Sequence, residues 1–120
     1  METINLYNKN FSASISPKGA ELKSFYEKQS ETEYIWKGDP AWWSGSAPVL
    51  FPIIGGLKNK EYLYKGKKYS LPNHGFARES EFKTKQISLT KCEFTLESNE
   101  NTKKMYPFDF ILKVLFTLEN

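Results

Sequence analysis

A strict alternation of apolar and polar residues in several short runs constrains the fold of this chain more than any other feature. In residues 11–16 apolar residues alternate with serines, and in residues 92–97 they alternate with glutamate and threonine. Side chains along a strand point to opposite faces in turn, so this period of two predicts half-buried β-strands. Aromatic residues make up 16% of the chain, which favours strands and argues against disorder. We therefore predict an all-β protein, an antiparallel β-sandwich.

Turn residues divide the chain into short segments. The helical spacing of Leu22, Phe25 and Tyr26 competes with a hairpin over residues 20–36, and the strand-like neighbours favour the hairpin. The length allows one domain, residues 1–120. We predict hairpins over residues 1–19, 20–36 and 61–71, strands near 82–90 and 92–98, a polar loop from Ser98 to Lys104 and a last strand over 108–118.

The last predicted strand, 108–118, is apolar on both faces. Its even-numbered positions are all apolar, and Ile111 and Leu115 add apolar surface on the other face. Such a strand requires neighbours on both sides. Either earlier strands enclose it or the chain is part of a larger whole. If the chain ends here, we expect a homodimer through strand 108–118, by sheet extension or by packing of faces.

The segment 37–59 is rich in proline, glycine and tryptophan, which excludes a long helix and predicts a long, packed loop. Long ordered loops often carry function. Trp36, Trp42 and Trp43 suit a carbohydrate cleft, because sugar rings present apolar C–H faces that stack on indoles. The alternative is that these tryptophans bury one another as a small core.

The run Asn73-His74-Gly75-Phe76-Ala77-Arg78 contains the one histidine of the chain. A neutral imidazole exchanges hydrogen bonds with hydroxyl groups near pH 7, and a guanidinium offers a fork of donors. His74 and Arg78 together therefore suit a polyhydroxylated or anionic small molecule. The alternative is a structural role, in which His74 binds a backbone carbonyl and Arg78 pairs with Glu79 or Glu81.

Several classes of site are excluded or disfavoured by composition. With one cysteine, Cys92, and one histidine, the chain forms no internal disulfide, no four-thiolate zinc site and no two-histidine metal site. We expect Cys92 to be buried and inert, and no metal or cofactor. No run approaches the roughly 20 apolar residues of a membrane span, and no signal-peptide pattern is visible, so we expect a cytoplasmic protein without a membrane partner.

The hairpin 61–71 carries several lysines interleaved with tyrosines, within a chain of net charge +3. This combination can bind single-stranded nucleic acid through stacking and charge. The alternative is a solvated hairpin tip, and no nucleic-acid-binding signature accompanies the lysines. We therefore expect no nucleic-acid partner.

Six motifs occur in order along the chain. They are residues 19–25, Tyr34-Ile35-Trp36, 47–55, the hairpin 64–69, Asn73-His74-Gly75-Phe76-Ala77-Arg78 and 106–110. This ordered series resembles the N-terminal portion of the aldose 1-epimerase (galactose mutarotase) family, in particular its bacterial LacX-like branch. The resemblance covers nearly the whole chain and implies a large antiparallel β-sandwich. It also implies interconversion of hexose anomers by a glutamate base and a histidine acid, without cofactor or metal.

The resemblance also implies roles for individual residues. His74 matches a family histidine that contacts the sugar near its ring oxygen, and Arg78 orients the loop or meets an anionic substituent. Asn73 is a further substrate-binding candidate, and the candidate cleft aromatics are Trp42, Trp43 and Phe76. Gly56 stands where the family usually has an arginine that binds sugar hydroxyls.

The family's second histidine and its glutamate base have no match in this sequence. The expectation is a truncated, carbohydrate-binding, mutarotase-like protein with little or no activity alone. The alternative is a non-catalytic module that binds a carbohydrate or a protein.

Overall fold

The computed structural model describes residues 2–120, and its regular secondary structure is almost entirely antiparallel β-strand. The first sheet contains, in spatial order, β1 (Ile4–Tyr7), β2 (Phe11–Ser16), β3 (Glu21–Glu27) and β4 (Thr32–Glu33). A hairpin follows, made of β5 (Glu61–Tyr64) and β6 (Lys67–Ser70). The second sheet contains β7 (Lys83–Ser88), β8 (Lys91–Glu97) and β9 (Ile111–Thr117). Short helical segments are 3₁₀ turns at Lys58–Lys60 and Ala77–Glu79 and the helix α1 (Glu100–Met105).

The core lies between the inner faces of the two sheets. Alternate residues of β2 and β8 are buried, and Ile15, Cys92 and Phe94 have no exposed surface. Removing a large apolar side chain from water contributes about 1.5–3 kcal/mol, so this shared layer holds the sheets together. The predicted all-β, antiparallel sandwich is confirmed, as is the buried state of Cys92.

The predicted polar loop from Ser98 to Lys104 is wrong in part, because most of it is the helix α1. The Asn99 side chain accepts a hydrogen bond from the Thr102 N–H at 2.9 Å, and the Asn99 N–H donates to the Thr102 hydroxyl at 2.9 Å. This reciprocal pair is a capping box with threonine in place of the usual glutamate or glutamine. Within residues 2–120 no helix is long and apolar enough to cross a membrane.

Two predicted strands are shorter than expected. β4 ends at Glu33, because the Glu33 carboxylate accepts the N–H groups of Phe25 at 2.9 Å and Ile35 at 3.1 Å and replaces the strand ladder there. β9 begins at Ile111, because the Phe110 N–H donates to the Ser98 hydroxyl at 3.1 Å and not to a backbone carbonyl. The predicted alternation of the last strand still holds: even-numbered residues turn inward, and Ile111 and Leu115 are 65% and 52% exposed.

The long loop 37–59 is packed in its second half and open in its first. Val49, Phe51 and Ile53 pack against the core, as predicted. The first half exposes its tryptophans, and Trp42 is 82% exposed. The second half is therefore held in place by the core and can position the segments that pack against it.

Candidate functional site

The turn that contains His74 is anchored to the second half of the loop 37–59. The Phe51 carbonyl accepts the N–H groups of Phe76 at 2.9 Å and Ala77 at 3.1 Å. Gly75 pairs with Phe51 in an isolated parallel bridge and has a φ of 72°. A Cβ at Gly75 would lie 2.2 Å from the Phe51 carbonyl oxygen, so only glycine fits this approach. The predicted turn therefore owes its shape to a segment more than twenty residues away in sequence.

The orientation of the His74 ring is set by Gly55. The His74 N–H donates to the Gly55 carbonyl at 2.8 Å, and the Gly55 N–H donates to His74 Nδ1 at 2.9 Å. Because Nδ1 accepts this bond, the proton of the neutral ring is on Nε2. His74 therefore presents an N–H donor on its outward side. The structural alternative named a backbone carbonyl as the partner of His74: the Gly55 carbonyl does accept the backbone N–H of His74, whereas the ring accepts the Gly55 N–H.

Arg78 is placed by contacts with the start of the chain. The backbone of Arg78 packs on Gly19, whose N–H donates to the Ser80 carbonyl at 2.8 Å. Arg78 as a whole is half-buried, and no carboxylate of residues 2–120 lies within ion-pair distance of its guanidinium. Glu79 instead pairs with Lys18 at 3.2 Å. Arg78 therefore keeps its donors available, contrary to the structural alternative raised from sequence.

His74 and Arg78 meet in one open pocket of about 400 Å³. Trp43, Pro48 and Leu50 form the rest of its wall. The Trp43 ring covers Gly45, and the Trp43 carbonyl accepts the Trp36 indole N–H at 2.7 Å. The pocket thus combines one aromatic face, one neutral N–H donor and one cation.

A second pocket, of about 290 Å³, adjoins the first through Trp43, Pro48 and Arg78. Five charged side chains line this second pocket. Four of them form two ion pairs, Glu21 with Lys23 at 2.6 Å and Lys18 with Glu79 at 3.2 Å. Arg78 is the remaining charge. Sequence reasoning missed Lys18, Glu21 and Lys23 as site residues, although two of them lie in a stretch that carried the family resemblance.

Three residues predicted as site residues lie elsewhere. Phe76 is 6% exposed and packs edge-on to Phe51 at 6.1 Å, so it belongs to the core and not to a pocket wall. Trp42 lines neither pocket. Asn73 is exposed and its side chain lies over Gly56, where an added Cβ would meet Asn73 Oδ1 at 2.6 Å. The structure therefore brings together His74, Arg78 and Trp43 only.

The lysines of the β5–β6 hairpin contact the hairpin itself. Lys65 lies 5.5 Å from the ring centroid of Tyr64, and Lys67 lies 5.4 Å from that of Tyr69. Lys68 pairs with Glu61 at 3.7 Å. In the part of the chain that the structure describes, no group of three histidine, cysteine or acidic side chains is arranged to hold a metal ion.

Comparison with known proteins gives a consistent match. Protein LacX (plasmid) of Lactococcus lactis subsp. lactis is 32% identical over 121 residues, which is 97% of this chain and 40% of that protein. The solved structure of a galactose mutarotase related enzyme from Lactobacillus acidophilus superposes with a TM-score of 0.96 at 41% identity. A galactose mutarotase-like protein from Lactobacillus casei gives a TM-score of 0.95 at 37% identity.

Both structural matches cover 99% of this chain and 40% of the matched chain. The chain therefore spans about 40% of the length of the relatives it matches. The sequence model of the aldose 1-epimerase family matches residues 2–120. The motif order, the sandwich and these matches agree, and the chain belongs to the aldose 1-epimerase family.

Proposed function

We propose that residues 1–120 form one domain, the N-terminal part of a mutarotase-like sandwich, and supply one wall of a carbohydrate site. The observation that carries this proposal is the pocket in which Trp43, His74 and Arg78 converge. An aromatic face with a few directed polar groups is the usual composition of a small-molecule site. Family membership makes a hexose or related small carbohydrate the preferred ligand.

Each of the three side chains has a distinct role in the proposed site. Trp43 is 52% exposed and offers its ring to the apolar face of a sugar. His74 Nε2–H donates to the ring oxygen or to a hydroxyl, since Nδ1 is occupied by the Gly55 N–H. Arg78 binds hydroxyls or an anionic substituent of the sugar.

Anomer interconversion requires a base as well as an acid, because one proton leaves the anomeric hydroxyl while another reaches the ring oxygen. His74 supplies a donor. The acidic side chains beside Arg78 are Glu21 and Glu79, and each is held by a lysine. We therefore propose that a chain of these 120 residues binds sugar with little or no acceleration of mutarotation. The alternative is a non-catalytic module that binds a carbohydrate or a protein.

The variant His74→Asn tests the role of His74 with the fold preserved. The side-chain oxygen of an asparagine at this position can still accept the Gly55 N–H, and asparagine tolerates the φ of 65° found here. The Nε2–H donor is lost. Since a hydrogen bond contributes about 1 kcal/mol net, we expect about fivefold weaker galactose or glucose binding in a tryptophan-fluorescence titration. Unchanged affinity would contradict the proposed site.

Two tryptophan variants provide a matched pair for the same titration. Trp43→Phe should weaken the sugar response, because Trp43 forms the wall of the pocket. Trp42→Phe should leave binding unchanged, because Trp42 is 82% exposed and lines neither pocket. Polarimetry with fresh α-D-glucose or α-D-galactose should show only the spontaneous rate. Acceleration that persists in His74→Ala would refute the assignment of His74.

The role of Arg78 is tested by comparing galactose with galactose 6-phosphate. A charge-assisted bond to phosphate is worth about 1.5–3 kcal/mol, so the phosphorylated sugar should bind about tenfold more tightly or better at low ionic strength. Arg78→Gln should abolish this preference and leave galactose binding within about twofold. If both sugars bind equally to the unmodified chain, Arg78 serves hydroxyls or orients the loop instead.

A further inference from the structure

Trp43 is the aromatic side chain that lines both pockets, and it lies on the open first half of the loop 37–59. Trp43 itself is 52% exposed, and its neighbour Trp42 is 82% exposed. Ordering a mobile side chain when a ligand binds costs affinity, so a ring on such a segment serves a site best when it is already held. The contacts that hold Trp43 therefore bear directly on the proposed site.

Asp39 forms the turn that leads into Trp43. The Asp39 carbonyl accepts the N–H groups of Trp42 at 3.0 Å and of Trp43 at 2.9 Å. Its side-chain Oδ1 accepts the Ala41 N–H at 2.9 Å. An aspartate side chain that bonds to the backbone two residues further on is a common way to fix a turn. The Asp39 side chain therefore stabilises the turn whose backbone ends at Trp43.

The charge of Asp39 has a weaker contact than its turn hydrogen bond. Lys37 Nζ lies 4.0 Å from Asp39 Oδ2, and the Lys37 side chain is largely exposed. Exposed ion pairs at such a distance contribute little. The oxygen that accepts the Ala41 N–H, and not the negative charge, is therefore the feature of Asp39 that matters for the turn.

Trp36 holds Trp43 through its carbonyl. The Trp36 indole N–H donates to the Trp43 carbonyl at 2.7 Å. An indole nitrogen is a donor only, so this contact has one direction and one partner. Both backbone polar groups of Trp43 are thus occupied, its N–H by Asp39 and its carbonyl by Trp36. Neither Asp39 nor Trp36 lines either of the two pockets.

We propose that Asp39 and Trp36 are positioning residues, which hold Trp43 in the pocket before a sugar arrives; their role in binding rests on the function proposed above. If only a fraction of the molecules holds the ring in place, the apparent affinity is reduced to that fraction of its full value. One net hydrogen bond changes such an equilibrium about fivefold. Loss of either contact should therefore weaken sugar binding about two- to fivefold.

A galactose titration followed by NMR of the tryptophan indole N–H signals tests the proposal. Asp39→Ala removes the acceptor of the Ala41 N–H, and Trp36→Phe removes the indole donor, so each should weaken galactose binding about two- to fivefold. Asp39→Asn keeps a side-chain oxygen for the Ala41 N–H and should retain the affinity of the unmodified chain. Trp42→Phe is the matched control, because it changes a neighbouring ring and leaves both contacts in place.

The position of Trp43 is measured in the same samples without sugar. The Trp43 ring covers Gly45, so its ring protons should show nuclear Overhauser effects to the Gly45 α protons in the unmodified chain and in Asp39→Asn. These effects should weaken in Asp39→Ala and in Trp36→Phe. The hydrogen-bonded Trp36 indole N–H should exchange with solvent several-fold more slowly than that of the exposed Trp42.

The outcomes separate this proposal from the proposed function. Galactose binding by the unmodified chain that is equally tight in Asp39→Ala and Trp36→Phe would overturn the positioning role. Equal weakening in Asp39→Asn and Asp39→Ala would also overturn it for Asp39, because the effect would then belong to the charge. If the unmodified chain binds no sugar, the proposed function fails, and unchanged Trp43–Gly45 effects in the two variants would then overturn the positioning of Trp43 as well.

Discussion

Gly75 connects the stability of the protein to the geometry of its candidate site, and Gly75→Ala tests both. The substitution carries two costs. Alanine at a φ of 72° costs about 1–2 kcal/mol. The new Cβ would also lie 2.2 Å from the Phe51 carbonyl oxygen and 2.7 Å from Pro52 Cδ, so the two segments must separate.

Separation weakens the hydrogen bonds that Phe76 and Ala77 donate to the Phe51 carbonyl, at about 0.5–1.5 kcal/mol each. We therefore expect Gly75→Ala to lower the free energy of unfolding by about 2–5 kcal/mol. Urea unfolding followed by tryptophan fluorescence and circular dichroism measures this loss by linear extrapolation. Sugar affinity should fall as well, because His74 precedes the displaced residue.

Gly66 provides the control within the same chain. Its φ is 77°, close to that of Gly75, but no atom lies within 4 Å of an added Cβ. Gly66→Ala should therefore cost only the conformational part, about 1–2 kcal/mol. If the losses in free energy of unfolding of the two variants differ by less than about 1 kcal/mol, the close approach of Gly75 to Phe51 contributes little to stability.

Three further predictions concern single side chains. Burial raises the pKa of the Cys92 thiol, so native protein should react with a thiol reagent much more slowly than protein in urea; equal rates would contradict the buried position. Burial opposes ionisation of Glu33, but hydrogen bonds, foremost from Ser24 and the Phe25 N–H, outweigh it and lower the pKa below its ordinary value of 4.5. The ionised Glu33 therefore contributes its full stabilisation above pH 4.5, and this contribution is lost as the pH falls through the lower pKa of the folded state. Glu33→Gln should make the free energy of unfolding depend less on pH in the acid range. An unchanged pH dependence would count against these hydrogen bonds. Asn99→Ala removes the cap of α1 and should lower the free energy of unfolding, measured in urea, by about 1 kcal/mol. An unchanged free energy would mean that the capping box does not stabilise the protein.

Local pattern accounts for the parts of the fold that sequence reasoning predicted well. The alternation in β2 and β8 reflects a strand's own geometry, so it is visible without knowledge of any partner. The errors arose where a side chain replaced a backbone interaction. Thr102 completes a helix cap in a polar stretch, and Glu33 ends β4 by binding two backbone N–H groups. Such substitutions depend on geometry that composition does not reveal.

The candidate site shows the same division between local and long-range information. Trp42 and Trp43 are neighbours of the same type, yet one lines the pocket and the other does not, since the path of the loop decides which ring faces Pro48 and Arg78. Phe76 shares a motif with His74 and Arg78, but Phe51 and Phe110 draw it into the core.

From sequence came the class of fold, the strands, the His74–Arg78 pair and the family, because period two, turn residues and motif order are properties of short stretches of chain. Tertiary structure alone decided the proton position on His74, through the N–H of Gly55. It also brought Lys18 beside the pocket and placed the turn of His74 against Phe51. These features depend on residues far apart in sequence, and only folding determines which of them meet.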